Sequence, residues 1–397
     1  MSTFRSRHEI ETIDLANSSG LCFAFFQNGG LFRMKWQDVM INQILGNPLE
    51  GSLNNVYLRL RTTDAITFIP LTGPSSSSTF AHEQHHARWQ GHWQDLAYTC
   101  SLSLHPKAPL WFWTIDIQNT APTHILCDVI YTQDIGLAHE GAIRNNEAYT
   151  SHYIDHYVLA HDTYGHVVCS RQNQACGDRH PWLMQGSTAH VRSFLTDGLA
   201  FYGLAYKHTN IPVALTRDCL VGVKQQYEMA FCGLQSDILQ IAPGGSRSVT
   251  FFAEYVPDHP GPTQAADADR IHTAVQCIKQ LQDPPPNPVF TPQPSDPTIL
   301  QNSRMLTGMD LTGNDIRDLF PAQRRHEEIR DETLLSFFYG ESTHVVLKAK
   351  EQLVERPHGH ILRSGSAMLP HDDGLSSTTY MTGVFHSHLS LWNTSFN

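Results

Sequence analysis

Between Tyr131 and Val158 the chain reads YTQDIGLAHEGAIRNNEAYTSHYIDHYV, which crowds carboxylates, amides, imidazoles and phenols into one stretch. Two carboxylates among Asp134, Glu140, Glu147 and Asp155 could act as the acid and the base or nucleophile of glycoside chemistry. Spacing alone does not set their separation. Carboxylates beside Asn145, Asn146, His152 and His156 also serve as hydrogen-bond anchors, so a ligand-facing or loop-organising role is the expectation.

The histidines raise the question of a metal. His82, His85 and His86 cluster, His152 and His156 are four apart, and His358 and His360 flank Gly359. None has the Cys or Glu partner of a zinc spacing, and the default is ordinary hydrogen bonding with no metal and no resident cofactor. Arg356-Pro357-His358-Gly359-His360 reads as a turn that presents imidazoles. Trp111 and Trp113 share a strand face and read as core. Trp89, Trp93 and Trp182 lie in polar surroundings and are candidate platforms for sugar C–H faces, with a core role equally open. GxSxG, P-loop and GxGxxG patterns are absent.

These groups need a scaffold, and composition points to sheets. Of 397 residues, 41% are hydrophobic and only 16% charged, which disfavours disorder and long solvated helices. The net charge of -11 and the lack of a basic block exclude nucleic acid as an expected partner. The N-terminal residues lack a secretory pattern and no run of about eighteen apolar residues occurs, so a cytoplasmic protein with no membrane partner is expected. Eight cysteines without a CxxC pair read as buried free thiols.

Strand signals recur along the first 257 residues. Asn28-Gly29-Gly30 joins two apolar runs as a hairpin. Asn55 to Arg61 sets Val56, Leu58 and Leu60 on a buried face against Tyr57, Arg59 and Arg61 on a polar one. Strand-like runs follow at 88–93, 97–104, 110–118, 165–171 and 193–206, and 238–256 reads as another hairpin. Together they predict a mainly β fold, a large antiparallel β-sandwich.

Thr263 to Gln282 has helical spacing, seven prolines fall between Asp283 and Pro297, and Pro321 to Phe338 reads as a charged helix. Thr343 to Val354 and Met381 to Leu391 read as strands, after which the chain stops at Asn397 as if cut short. The expected domains are a sandwich over 1–257, a helical and Pro-rich connector over 258–340, and further strands over 341–397 returning to the sandwich.

The core QDIGLAHEGAIRNNEAYTSHYIDH resembles the corresponding segment of 1,2-β-oligoglucan phosphorylases and cyclic β-1,2-glucan synthases, in glycoside hydrolase family 94, formerly glycosyltransferase family 36. NGGLFRMKWQDVMINQILGNPLEGSLNNVYLRLR, VVLKAKEQLVERPHGHILRSG and TGVFHSHLSLWNTSFN are similar to the same proteins, so the resemblance spans nearly the whole chain. Trp392 departs from it, where a glycine is expected.

The resemblance implies a galactose mutarotase-like supersandwich with a short helical linker. It also implies reversible, inverting phosphorolysis with inorganic phosphate as co-substrate, and an (α/α)6 barrel, absent from this chain, that carries the catalytic acid. On this reading no catalytic residue lies in the chain. Gln133, Asp134, Asn146, Glu147, Tyr149, Asp155, His156, His358 and His360 are candidate substrate-binding residues that shape a sugar site. The implied partners are a β-1,2-glucooligosaccharide, the barrel and a second copy in a homodimer. Two alternatives stand beside it: a non-catalytic β-glucan binder, and a stand-alone glycosidase using the carboxylates of the Tyr131 to Val158 run.

Overall fold

The computed structural model describes residues 12–281, apart from 84, 146 and 226, together with parts of 314–346. A small antiparallel sheet opens the chain with β1 (Ile13–Ala16), β2 (Leu21–Phe25), β3 (Leu31–Trp36) and β4 (Val39–Met40). The Asn-Gly turn between β2 and β3 forms as the sequence predicts. Gly29 there has φ +74°, and a Cβ would lie 2.6 Å from the Trp89 indole nitrogen, so turn and packing both require glycine.

The next strands are β5 (Asn55–Arg61), β6 (Ile66–Pro70), β7 (Thr79–Glu83), β8 (His86–Trp93), β9 (Leu96–Leu104), β10 (Leu110–Asn119) and β11 (Ile125–Asp134). The chain then forms β12 (Ala138–His139), α1 (Glu140–Asn145), α2 (Glu147–Ser151), β13 (Ile154–His161), β14 (Gly165–Gln172), β15 (Trp182–Ser187) and β16 (Val191–Asp197). After α3 (Gly198–Tyr202) and α4 (Tyr206–Thr209) come β17 (Ala230–Ser236), β18 (Leu239–Ile241), β19 (Ser246–Val256) and α5 (Asp269–Leu281).

The large sheet runs β6-β5-β11-β17-β16-β14-β15-β19-β10-β9-β8-β7, with β13 on β14 and β18 on β11. Its pairings are antiparallel apart from one contact, Gly165 with Val191, between β14 and β16. Tyr131 of β11 stacks on Phe251 of β19 at 5.6 Å although four strands lie between them in the order. The sheet therefore curls over its own inner face. Phe23 and Phe25 of the small sheet enter the same core against Trp111 and Trp89, at 5.3 and 5.5 Å.

Period-two alternation sorts the side chains between two cores. Trp111, Trp113, Ile115 and Ile117 of β10 face inward. Leu110 and Phe112 face outward, where Trp182, Met184 and Phe252 meet Ile271, Ala274, Val275 and Ile278 of α5. Each large apolar side chain buried this way contributes about 1.5–3 kcal/mol.

Several expectations are corrected. Trp89 and Trp182 are fully buried, because alternation drives them into the two cores, and so neither is a platform. The polar face of β5 is buried too, since Arg59 finds an ionic partner in Asp128 on β11. The strand expected over 193–206 stops at Asp197, whose carboxylate accepts from the Leu199 and Ala200 amides and starts α3. Strand β18 pairs with β11 and not with β19, so 238–256 is no hairpin.

The segment expected as a charged helix forms β20 (Arg324–Arg330) and β21 (Thr333–Tyr339), extended by β22 (Thr343–Val346) into a three-stranded sheet. Cross-strand pairing with an aromatic-rich neighbour outweighs the helical reading of the charges. By contacts, this sheet belongs to a second unit, separate from the one that holds β1 to α5. The Pro-rich run, the 356–360 turn with His358 and His360, and 381–391 lie outside the described residues. The eight cysteines are free, with Cys100, Cys127, Cys169, Cys176 and Cys232 buried. Among the described residues, no helix is long and apolar enough to cross a membrane.

Candidate functional site

The Tyr131 to Val158 run carries the chain from one sheet to the other. Strand β11 ends at Asp134, and two residues on, the Gly136 amide donates to the Ile41 carbonyl at 2.8 Å. A Cβ on Gly136 would meet the Asn42 carbonyl oxygen at 2.5 Å, so only glycine permits this approach. After Leu137, at φ +52°, β12 pairs with β4 of the small sheet.

Asp134 fastens this crossing. Its Oδ2 accepts from the amides of Gln43 and Ile44, at 2.8 and 2.6 Å, just beyond β4, while Oδ1 has no protein partner. Burial pushes its carboxyl up to about 6, against the opposing pull of those amides. Gln133 points into the core, where its Oε1 accepts from the Tyr131 hydroxyl and, at 3.1 Å, from Gln185 Nε2. Burial raises the Tyr131 phenol as well.

His156 is also buried, with Nδ1 2.9 Å from Ser170 Oγ. Its basicity falls to about 3, first through burial and then through the nearby charge of Lys224, so the ring is neutral. Gln133, Asp134 and His156 are thus interior groups.

Other polar side chains of the run face solvent. Tyr149 in the middle of α2 is 53% exposed and meets Tyr153 edge-on, with centroids 5.0 Å apart and hydroxyls 2.5 Å apart. Asp155 pairs with Lys224 at 2.8 Å. His152 lies edge-on to Tyr227, 5.6 Å between centroids, and Tyr227 is 77% exposed.

The structure sets Tyr149 and Asp155 at the surface with four residues that sequence reasoning left out of the site, in three contacts: Tyr149 with Tyr153, His152 with Tyr227 and Asp155 with Lys224. A lone tyrosine in the polar KQQYEM segment was the available signal for Lys224 and Tyr227. Asn146, His358, His360 and the side chain of Glu147 lie outside the described residues.

The carboxylates have separate commitments. Glu140 meets Arg144 at 2.8 Å and Arg33 at 3.4 Å, Asp155 meets Lys224, and Asp134 meets backbone amides. His85 Nδ1 is 2.8 Å from the Ala16 carbonyl and His86 Nδ1 2.8 Å from Ser103 Oγ. Among the described residues, no three His, Cys, Asp or Glu side chains come together to hold a metal.

The site lies on a mainly β domain of two sheets, and comparison with known proteins assigns its family. The SOGP N-terminal domain family matches residues 24–253, and the glycoside phosphorylase supersandwich domain family matches 320–397. The chain belongs to the SOGP N-terminal domain family.

It is 31% identical over 379 residues to the 1,2-beta-oligoglucan phosphorylase of Listeria innocua serovar 6a. That match covers 95% of this chain and 33% of the relative, so the chain spans about a third of the relative's length. Among solved structures, a putative aldose 1-epimerase from Escherichia coli K12 matches at TM-score 0.36 and 9% identity, over 62% of this chain and 99% of that one. A putative kojibiose phosphorylase from human microbiome matches at 0.32 and 8%, over 68% and 34%.

Proposed function

We propose that this chain is the N-terminal, carbohydrate-associated part of a phosphorylase acting on β-1,2-gluco-oligosaccharides, and that it has no turnover by itself. One observation carries the reading: the match to a 1,2-beta-oligoglucan phosphorylase runs through 95% of the chain but only 33% of that protein. The separate commitments of Asp134, Glu140 and Asp155 support it, since glycoside chemistry needs two carboxyl groups flanking one bond.

In the complete enzyme, phosphate oxygen bonds to the anomeric carbon as the glycosidic C–O bond breaks, and a carboxylic acid on a helical barrel protonates the departing oxygen. The sandwich braces that site. Eight free thiols suit a reducing compartment, and we place the protein in the cytoplasm.

The test is release of sugar 1-phosphate from β-1,2-gluco-oligosaccharide and inorganic phosphate. None is expected from the 397-residue chain, and release is expected once a barrel region is supplied. Turnover by the chain alone that is lost in Asp134→Asn or Glu147→Gln would overturn the proposal in favour of a stand-alone enzyme.

A further inference from the structure

The exposed rings beside α2 are more than incidental surface. Tyr149, Tyr153 and Tyr227 are 53%, 36% and 77% exposed, and the first two hold each other through ring and hydroxyl contacts. His152, which precedes Tyr153 and whose amide donates to the Tyr149 carbonyl at 3.2 Å, meets Tyr227 edge-on. Tyr153, Asp155 and Tyr157 fall on alternate positions entering β13, about 7 Å from one to the next at strand spacing. Lys224 reaches Asp155 between the two tyrosines.

Tyr227 carries the second observation. Its backbone sits at φ +58°, a region that bulky residues rarely occupy and that costs on the order of 1–3 kcal/mol. The residues after it hold it there. Glu228 is buried, its Oε1 accepts from Thr196 Oγ1 at 2.9 Å, and its carbonyl accepts from Ser151 Oγ at 3.1 Å. The Met229 amide donates to Asp197 at 3.0 Å. An anchored loop thus turns a strained tyrosine outward, where burial gains nothing. Strain retained at a solvent-facing aromatic points to a ligand.

We propose that Tyr149, His152, Tyr153 and Tyr227, rimmed by Asp155 and Lys224, form a binding surface for a neutral β-linked gluco-oligosaccharide, and that this chain binds it without a catalytic partner. The inference rests on the carbohydrate reading above and adds a site to it. The chemistry fits a sugar. Ring faces take the C–H faces of pyranoses, while phenol, imidazole, ammonium and carboxylate groups at the edges exchange hydrogen bonds with sugar hydroxyls. Asp155 and Lys224 cancel each other's charge, which favours an uncharged ligand over a phosphorylated one.

The experiment titrates the 397-residue chain with β-1,2-gluco-oligosaccharide by calorimetry, with α-1,4-linked oligosaccharide of equal length as comparator. Saturable binding of the β-linked sugar is expected, weakened about tenfold or more in Tyr227→Gly. Glycine accepts the left-handed backbone, so this variant removes the ring without straining the loop. Tyr149→Ala should weaken binding similarly, and unchanged circular dichroism and melting would separate loss of the site from loss of the fold.

Absence of heat with the β-linked sugar would overturn the inference, as would wild-type affinity in Tyr227→Gly or equal binding of both sugars. A failure of the phosphorylase reading appears in a different measurement, release of sugar 1-phosphate, so the two can fall separately.

Discussion

Strand β11 holds two buried aspartates six residues apart, and the protein treats them in opposite ways. Asp128 meets Arg59 at 2.7 and 3.0 Å in a bidentate pair that is wholly buried, and it also accepts from Arg61. Arg59 spends its remaining donors on the carbonyls of Leu215, Arg217 and Asp218, at 3.2, 2.6 and 3.3 Å. The charge on Asp128 is thereby neutralised, and the 215–218 segment is fixed over the sheet. Asp134 has only two amides, and its carboxyl rises to about 6. One aspartate is matched by guanidinium groups; the other is a hydrogen-bond acceptor whose charge is a burden.

The largest effect should come from breaking the ion pair. Asp128→Ala leaves the Arg59 guanidinium buried without its anion, and a loss of about 3–5 kcal/mol in unfolding free energy is expected from urea denaturation. Replacing both, as Asp128→Leu with Arg59→Met, should recover most of it. A loss below about 1 kcal/mol in the single variant would show that Arg61 and the carbonyls suffice, and the contrast with Asp134 would collapse.

Asp134 should show the reverse sign. Its carboxyl rises from 3.8 in the unfolded chain to about 6 when folded, so between those values the folded state binds more protons. Stability from this group is greatest below about pH 4 and declines as pH rises through 6, by about 3 kcal/mol in total. Asn at this position keeps an acceptor for the Gln43 and Ile44 amides and carries no charge. Asp134→Asn should therefore be more stable than wild type by about 1–3 kcal/mol near pH 7 and equal to it near pH 4, read from denaturation midpoints. Destabilisation at neutral pH would show that the ionised carboxylate is needed.

These contrasts explain what the sequence could disclose. Strands β5, β9 and β10 were legible because apolar residues alternate in them, and α5 because Ile271, Ala274, Val275 and Ile278 repeat at helical spacing. Burial of Arg59 was not legible, since it depends on Asp128, sixty-nine residues later in the chain. Trp89 and Trp182 were ambiguous for a related reason. Their sequence neighbours are polar, while the groups that cover them come from β2, β7 and α5.

The crowded run at 131–158 stood out in the sequence as a cluster of polar and aromatic residues. It could not show that β11 and β13 carry Gln133, Asp134 and His156 inward while α2 and its turn carry Tyr149 and Tyr153 outward. The surface also takes Lys224 and Tyr227 from a loop distant in sequence, Lys224 lying 69 residues beyond Asp155 and so beyond any local pattern.

His156 gives the smallest and most selective test, because its pH dependence opposes that of Asp134. Burial lowers its basicity from 6.5 to about 3, so between those values the unfolded chain binds the extra proton. The stability it contributes is complete above about pH 6.5 and is lost as pH falls toward 3. Near pH 5 the loss is about 2 kcal/mol. In wild type, the two groups offset each other between about pH 4 and 6, and a single stability profile would hide both. His156→Gln retains a polar side chain beside Ser170 and cannot take up the proton. Its stability relative to wild type should rise by about 2 kcal/mol on going from pH 7 to pH 5, measured as the difference between urea midpoints at each pH. An unchanged difference would mean that the folded interior protonates His156 as readily as water does, and would remove the opposition between the two groups.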